Sequence, residues 1–330
     1  MSVVTFEYIL WKLEDKLQRN WCNLHSTILP EERLVISLRF LATGQSYVSL
    51  AFSFDIGVST VCYIINDCLE KIWTIFQPLY MKIPKREEFL EIAETFLRRW
   101  NIPNCLGSID GKHVRIKKPA HSGSAYFNYK RYFSCVLQAV VDANGKFIFI
   151  DIVQYGSQSD GGIFSSSKLK KALDLKKLAI PNESKLPRSD VRMPYYFIGD
   201  GAYPLRKYLL KPIRGKNLTH IESNYNKRVS RARVVVENAF GILSQVWRVY
   251  HTTINAQPKM VEKIIKATCV LHNIILDARI DKNNIRTKFE NDSEGIDGKK
   301  NTYECERSSE FQQGMKERQK LIKWFADNPL

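Results

Sequence analysis

The sequence predicts an α/β protein in which an all-helical region precedes a mixed β-sheet flanked by helices. In the first part of the chain, apolar residues recur at helical spacing, as in the stripe formed by Val61, Ile64, Ile65 and Cys68. From residue 105 onward, short apolar runs typical of strands replace this spacing, and the Asn144-Gly145 pair between two of them is a hairpin signal. A chain of 330 residues that is 44% hydrophobic has ample material for a packed core.

The helical region has an order of elements that is typical of a helix-turn-helix. Pro30, followed by two acidic residues, favours the start of a helix that runs to Gly44. The outward face of the later helix would enter a DNA groove, but its acids Asp67 and Glu70 weaken base readout. An ordinary helical bundle is the alternative. The predicted segments are a helix over 1–30, the helix from Pro30, a short segment at Tyr47–Phe54, and helices at Ser59–Trp73 and Glu87–Trp100.

The second part of the chain has the element order of a ribonuclease H-like fold, because three closely connected strands precede a helix, a strand and a further helix. A basic insertion is predicted at 205–229, between the last strand and that helix. The predicted elements are strands at Leu106–Ile116, Phe133–Asp142 and Lys146–Val153, a helix at Gly161–Leu175, a strand at Tyr195–Gly199, and helices at Ser230–Trp247 and Lys259–Asp277.

Three regions follow from these patterns: a helical region at 1–104, a ribonuclease H-like domain at 105–280 and a polar tail at 281–330. The tail is rich in Asn, Ser, Lys and Glu and has few apolar residues, so we expect disorder over 281–310. Near the end of the chain, Lys316–Phe325 is predicted to form a solvated helix.

The charge of the chain is strongly positive and unevenly distributed. The formal net charge is +16, and residues 201–260 hold eleven Lys and Arg against two Glu, which is +9 in that stretch. Such an excess favours a polyanionic partner, most simply nucleic acid. A membrane surface is the weaker alternative, because the basic residues lack an apolar face of lipid-binding type and no apolar run approaches a membrane span.

The seven cysteines favour a reducing compartment. Their number is odd and no pair has C-x-x-C spacing, so a disulfide framework or a zinc site is not predicted. The first residues lack the basic segment and cleavage signature of a secretory signal. We therefore expect the protein in the nucleus, or in the nucleus and cytoplasm.

Three acidic residues form a candidate metal site. Asp110 and Asp200 each follow an apolar run and precede a glycine, and Glu237 stands alone in an apolar helical run. Divalent ions such as Mg²⁺ or Mn²⁺ take oxygen ligands, and two of them can serve both sides of a phosphodiester transfer. Alternatively, the aspartates are turn residues at strand ends, and Glu237 pairs with Arg233 one helical turn earlier, which is compatible with metal binding.

Six motifs in order resemble the PIF/Harbinger transposase family and the domesticated nucleases derived from it, over roughly residues 6–273. They are G-S-I-D-G-K-H (107–113), S-A-Y-F-N-Y-K-R-Y-F-S (124–134), G-S-Q-S-D-G-G-I-F (156–164), G-D-G-A-Y-P-L (199–205), S-R-A-R-V-V-V-E-N-A-F-G (230–241) and A-T-C-V-L-H-N (267–273). The resemblance implies a DDE triad at Asp110, Asp200 and Glu237, with a divalent metal as cofactor. Gly201 and Tyr203 stand where many relatives carry Glu and Phe.

Several other residues have two possible roles. Asp160 is either a further metal ligand or a cap of the following helix. His113 is predicted to be structural or phosphate-facing, and His272 a packed core histidine. Tyr126 and Tyr129 suit either a DNA-facing loop or a cover of the sheet. The residues predicted to contact DNA are Lys227, Arg228, Arg231, Arg233, Lys130 and Arg131.

These observations favour a metal-dependent DNA endonuclease or transposase. One alternative is a domesticated DNA-binding protein that acts with a partner protein without cleavage, and another is a ribonuclease on the same fold. The resemblance implies a separate Myb-like DNA-binding partner, and an oligomer is compatible with the sequence. No membrane partner is predicted.

Overall fold

The computed structural model describes residues 1–18, 28–153, 155–157, 160–215, 217–283 and 309–328. The helices are α1 (Val3–Leu17), α2 (Pro30–Thr43), α3 (Tyr47–Phe54), α4 (Val58–Tyr80), α5 (Arg86–Trp100), α6 (Asp160–Ser166), α7 (Lys168–Asp174), α8 (His220–Val246), α9 (Pro258–Asn283) and α10 (Ser309–Asp327), with a 3₁₀ turn at Arg248–His251. The strands are β1 (Cys105–Arg115), β2 (Ser134–Val141), β3 (Phe147–Val153), β4 (Ser184–Lys185), β5 (Arg192–Met193), β6 (Tyr196–Ile198) and β7 (Leu209–Leu210).

A five-stranded mixed sheet in the order β3-β2-β1-β6-β7 forms the centre of the second half. β1 pairs antiparallel with β2, and β2 with β3, whereas β6 lies parallel to both β1 and β7. The predicted hairpin turn lies between β2 and β3, with Gly145 at a φ of 88° that a glycine adopts without strain. The predicted α/β class, a mixed sheet flanked by helices, is confirmed.

Helices cover both faces of this sheet. One face packs against α5, α6 and α7 through residues such as Ile109 and Val140. The other face packs against α8 and α9 through Leu137 and Ala139. Every residue of β2 is buried, which explains why its sequence is an almost continuous apolar run rather than an alternating one. Successive residues of β1 point to opposite faces, so Asp110 points to the side opposite Ile109.

The N-terminal helices share a core with the second half of the chain. Ile9 of α1 and Leu34 of α2 belong to the same buried cluster as Ile265 of α9. On the predicted outward face of α4, Asn66 and Glu70 both accept hydrogen bonds from Lys263 of α9, at 2.9 and 2.7 Å. Part of that face is thus already used for packing, and DNA docking through α4 stays a prediction, as does the domain boundary at 104.

Several helix boundaries differ from the predicted ones. α1 ends at Leu17, and 19–27 lie outside the described residues. α4 continues to Tyr80, because Phe76 extends its buried stripe. The predicted helix over 161–175 is two helices, since Ser167 interrupts it and caps α7 by accepting from the Lys170 N–H. The long helix α8 begins at His220 rather than Ser230.

The basic insertion is therefore shorter than predicted. Thr219 caps α8 and forms a capping box with Glu222, so 220–229 are helical and only the residues before them are not. The T-x-x-E pattern of this capping box is present in the sequence and indicates a helix start ten residues before the predicted one. The insertion also contains the short strand β7, which adds to the edge of the sheet.

The helix predicted at Lys316–Phe325 is confirmed, but its solvation is not. Ser309–Asp327 forms helix α10, in which Leu321, Trp324 and Phe325 are buried in a cluster with α8. The Trp324 indole N–H also donates to the Pro187 carbonyl at 2.8 Å. The prediction of disorder over 281–310 is wrong at both ends, because residues 281–283 belong to α9 and residues 309–310 to α10. Residues 284–308 lie outside the described residues.

Within the described part of the chain, no single helix has the length and apolar composition needed to cross a membrane. Together, α3 and α4 reach that length and composition, but they are bent by 104° at the break between them.

Candidate active site

Asp110 lies in the middle of the central strand β1, paired with Ala139 of β2, rather than at a strand end. The Gly111 N–H donates to Asp110 Oδ1 at 2.8 Å. Burial, helped by the neighbouring Asp200 and Asp160 carboxylates and opposed by the Gly111 N–H and Arg233, raises the pKa of Asp110 to about 7. The like charges that influence Asp110 are therefore the acids proposed from the sequence.

Asp160 approaches β1 from the other side of the strand. It is the first residue of α6, and its Oδ1 occupies the space that a Cβ at position 111 would need. A side chain at 111 would therefore displace the Asp160 carboxylate from this position. Burial, followed by the Asp200 charge, raises the pKa of Asp160 to about 6, and Lys130 lowers it. The carboxylate thus lies at the start of α6 and beside β1, and its role as metal ligand or helix cap stays a prediction.

Asp200 lies on the turn that follows β6. Its Oδ1 accepts the Ala202 N–H at 2.8 Å. Lys211 and Arg214 donate to the Gly201 carbonyl and so hold the turn. There is no room for a side chain at Gly161, because the Ala202 carbonyl oxygen would lie 2.7 Å from its Cβ. This close contact places Asp160, the residue before Gly161, next to the turn that bears Asp200.

A buried tyrosine lies within reach of all three aspartates. Burial raises the pKa of Tyr203 far above its usual value, and Asp110, Asp160 and Asp200 each raise it further. The Gln138 side-chain amide donates to the Tyr203 hydroxyl at 3.3 Å. No role for Gln138 or Tyr203 in the site is predicted from the sequence. The features that could have indicated one are a glutamine within the apolar run V-L-Q-A-V-V and a tyrosine three residues after Asp200.

Glu237 differs from the aspartates. It lies on α8 with 51% of its side chain exposed, and Arg233 one turn earlier donates to it at 3.3 Å. The helical pairing considered from the sequence is therefore present. Arg233 also lowers the pKa of Asp110, so this guanidinium lies between the exposed glutamate and the acids of the sheet.

The chemistry of the donor set fits a divalent metal. None of Asp110, Asp160 and Asp200 forms an ion pair with a lysine, arginine or histidine that the structure describes. Arg233 and Lys130 only partly offset the burial and mutual repulsion that raise the pKa values of Asp110 and Asp160, and a hard divalent cation with oxygen ligands would supply further positive charge. As they stand, however, no three His, Cys, Asp or Glu side chains of the described ranges are grouped closely enough to hold one metal ion.

The predicted DNA-contacting residues differ in their exposure to solvent. Lys227 and Arg231 on α8 and Lys130 and Arg131 in the loop before β2 are exposed, and Arg233 is partly buried at the site. Arg228 is wrong as a DNA contact. It is 3% exposed, its guanidinium lies 4.5 Å from the centre of the Phe325 ring, and it donates to the Asn328 carbonyl at 2.5 Å. Its role is to attach α10 to α8.

Much of the charge in 201–260 is similarly engaged within the fold. Arg206 pairs with Glu310 of α10 and Lys207 with Glu183. Together with the basic residues that hold the Asp200 turn, these pairs leave less positive charge for a polyanion than the net +9 implies.

The two histidines have structural surroundings. His272 is 3% exposed and its Nε2 is 3.0 Å from the Gly145 carbonyl oxygen, which confirms the predicted core histidine. The adjacent Asn273 accepts the Phe147 N–H at 2.9 Å and donates to the Tyr80 carbonyl at 2.8 Å, so the L-H-N motif attaches β3 to α4. His113 shares a hydrogen bond of 2.9 Å with Ser134 Oγ.

A mixed sheet that carries acidic residues on its central strand, on the neighbouring strand end and on a covering helix is the arrangement of a nuclease domain. A sequence profile described as a DDE superfamily endonuclease matches residues 109–273, which is half of the chain. The chain belongs to this family, and the resemblance predicted from its six motifs is confirmed.

Similarity to known proteins extends beyond the profile. The chain is 29% identical over 256 residues to a protein of Arabidopsis thaliana named ALP1-like, covering 74% of this chain and 60% of that protein. It is 27% identical over 289 residues to the Arabidopsis Antagonist of Like Heterochromatin Protein 1, covering 84% and 71%. It is 23% identical over 258 residues to the human protein named "Putative nuclease HARBI1", covering 77% and 69%. No solved structure gives a significant match.

Proposed function

We propose that the protein is a metal-dependent DNA endonuclease or transposase of ribonuclease H-like fold. The single observation that carries the proposal is the set of three partly buried aspartates, none of which forms a salt bridge among the described residues, on a DDE endonuclease domain. The sheet order, with two antiparallel strands on one side of β1 and two parallel strands on the other, supports the ribonuclease H-like fold.

Each acid has a distinct role in this proposal. Asp110 and Asp200 hold divalent ions, Asp160 is an additional ligand, and Glu237 completes the set and orients the attacking water or 3′-hydroxyl. Two such ions, Mg²⁺ or Mn²⁺, would activate the attacking oxygen and stabilise the leaving one. Because Asp110 and Asp160 have raised pKa values, they bind cations best at neutral or higher pH, where both are ionised.

Arg233 connects binding to chemistry. It pairs with Glu237 and lowers the pKa of Asp110, so it can transfer from the glutamate to a phosphate when a substrate arrives. Lys227 and Arg231, exposed on the same helix, would neutralise phosphates further along the backbone. Lys130 and Arg131 would do so on the other side of the site.

The proposal includes the setting in which the protein acts. A nuclease for DNA implies a nuclear location. One relative is named as an antagonist of a heterochromatin protein, which favours a chromatin protein as partner. No finding favours the Myb-like partner that the sequence resemblance implied, or a particular oligomeric state.

A cleavage assay tests the proposal. Supercoiled plasmid DNA and a structured RNA of similar length are incubated with the protein and Mg²⁺ or Mn²⁺. We expect nicking of the plasmid that EDTA and Asp200→Asn each abolish. Asp174→Asn is the matched control, because Asp174 is an acid that pairs with Lys170 on the surface of α7, and it should cleave normally.

The other outcomes separate the alternatives. Cleavage of RNA but not DNA would favour the ribonuclease. Tight DNA binding with no cleavage under any metal condition would favour a DNA-binding protein that acts through a partner. Equal cleavage by wild type and Asp200→Asn would contradict the assignment of the site.

A further inference from the structure

The loop between β1 and β2 has a fixed conformation around a buried asparagine. Asn128 is 3% exposed. Its side-chain oxygen accepts the N–H groups of Lys130 and Tyr132, at 2.9 and 3.3 Å, and its side-chain amide donates to Ser134 Oγ at 2.8 Å. Its backbone exchanges two further bonds within the loop, with Tyr132 and Arg131. The loop is therefore held from within rather than by contacts at its tip.

At the tip of this loop, an aromatic ring is exposed and yet fixed. Tyr129 is 70% exposed, and its ring meets the His113 ring edge-on with centres 5.5 Å apart and planes at 74°. Leaving so large an apolar ring in water forgoes the stabilisation that burial would bring. A ring fixed at one edge, with most of its surface open, is preorganised for a flat partner.

His113 provides a neutral support for this ring. Ser134 Oγ accepts from the Asn128 amide at 2.8 Å and lies 2.9 Å from His113 Nδ1, so the imidazole is held in place by the same serine that anchors the loop. Burial, followed by Lys130, lowers the pKa of His113 to about 4. The histidine thus adds no charge to the loop near pH 7, and only the lysine and arginine do.

The loop lies beside the acidic site. His113, which the Tyr129 ring contacts, follows Gly111 by two residues on β1 and so lies on the same face of the strand, the face that Asp160 approaches. The Lys130 ammonium lies 5.5 Å from the centre of the Tyr129 ring, and the exposed Arg131 follows it in a left-handed conformation with φ of 64°. An exposed ring and two cations are thus presented together, next to the residues proposed to cleave DNA.

We propose that Tyr129 is a stacking platform for an unpaired base of the DNA next to the cleaved bond, with Lys130 and Arg131 holding the adjoining phosphates. This inference rests on the proposed function for the identity of the substrate. Aromatic rings bind bases by stacking without regard to sequence, and neighbouring cations bind the backbone. The preferred substrate would then be DNA with unpaired bases near the cleavage point, such as a junction, a bubble or a locally opened duplex.

Equilibrium binding in Ca²⁺ or EDTA, without turnover, tests this inference. Three fluorescent DNAs of one sequence are compared: a perfect duplex, a duplex with four unpaired bases, and a single strand. We expect Tyr129→Ala to weaken binding of the two DNAs with unpaired bases by about five- to 100-fold, and of the perfect duplex by less than about twofold. Tyr129→Trp should retain wild-type affinity, because it keeps an aromatic face.

Trp11→Ala is the matched control. Trp11 of α1 is 66% exposed and, like Tyr129, has a lysine near its ring, with Lys12 Nζ 4.3 Å from the ring centre. Because Trp11 is not part of the proposed site, the Trp11→Ala variant should bind all three DNAs like wild type. Unaltered thermal unfolding of Tyr129→Ala, expected of an exposed side chain, confirms its fold.

The outcomes separate the two proposals. If wild type binds DNA with unpaired bases and Tyr129→Ala binds it equally well, stacking is wrong and the DNA assignment stands. An equal loss on all three DNAs would show a contact to the backbone instead and would also overturn stacking. If wild type binds none of the three DNAs, the proposed DNA substrate itself is wrong, and the stacking inference with it.

Discussion

The aspartates at the sheet and the charged residues of α8, which we propose form one site, have opposite physical surroundings. Asp110 and Asp160 are withdrawn from water, repel neighbouring carboxylates and have raised pKa values. Glu237 is half exposed and already paired with an arginine. The difference indicates that the sheet supplies an acidic site with an excess of negative charge, while the helix supplies groups that can exchange partners as substrate binds.

The largest effect is expected at Asp110. Asp110→Asn should reduce cleavage by at least about 10³-fold, because it removes a ligand for the catalytic ions. The same change removes a charge that its neighbours repel, so at pH 7.5 without metal it should raise the unfolding temperature by a few degrees. Cleavage rates and thermal unfolding measured on one preparation check both effects. A stability loss accompanying the loss of activity would show that Asp110 is chiefly structural.

Glu237→Gln should separate activity from stability. We expect cleavage to fall by roughly 10²-fold, since the glutamate is proposed to complete the metal site. The unfolding temperature should stay within about one degree, because a half-exposed i,i+4 ion pair contributes little. Glu70→Gln is a suitable control, because Glu70 is also an exposed acid in an ion pair, with Lys263. Glu222→Gln is not, since Glu222 caps α8. A large drop in stability for Glu237→Gln would remove the contrast with the sheet.

The exposed basic residues of α8 should determine salt dependence. Lys227→Gln combined with Arg231→Gln should reduce the slope of log affinity against log salt by about two units, one for each lost phosphate contact. It should weaken binding of all DNA sequences alike. Lys85→Gln with Arg86→Gln, an exposed pair at the start of α5, is the matched control. Unchanged slopes in the α8 variant would place the DNA elsewhere.

The smallest effect concerns pH. The folded-state pKa of Asp110 is about 7, above its unfolded value of about 3.9, so the folded state holds a proton that the unfolded state has lost. Its contribution to stability is therefore lost as pH rises from about 4 to about 7. In metal-free denaturant titrations, Asp110→Asn should show a shallower decline over that range. Parallel pH profiles would show that the charge of Asp110 is not penalised.

The sequence predicted the parts of this site that depend on local pattern. Asp110 and Asp200 were identifiable because an apolar strand followed by Asp-Gly is a short-range signal, and the order of helices and strands came from periodicity. Thr219 and Glu222 also indicate the true start of α8, whereas the apolar run further along the chain predicts a start at Ser230.

Features that depend on distant parts of the chain were not predictable in this way. Arg228 resembles its exposed neighbours in sequence, and only the packing of α10 makes it a buried structural residue. The polar composition of the tail concealed the buried stripe of α10, because its apolar residues are few and concentrated near the end. Tyr203 gained its place beneath three aspartates from the convergence of separate elements.

Metal binding tests the central claim most directly. Mn²⁺ titrated into the protein at pH 7.5 by calorimetry should bind to wild type and to Asp174→Asn with equal affinity. Asp110→Asn and Asp200→Asn should each weaken binding by at least about tenfold, since every lost carboxylate removes a ligand from the site. Mn²⁺ affinities that are the same in wild type and in both of these variants would contradict the assignment of the aspartates to a metal site.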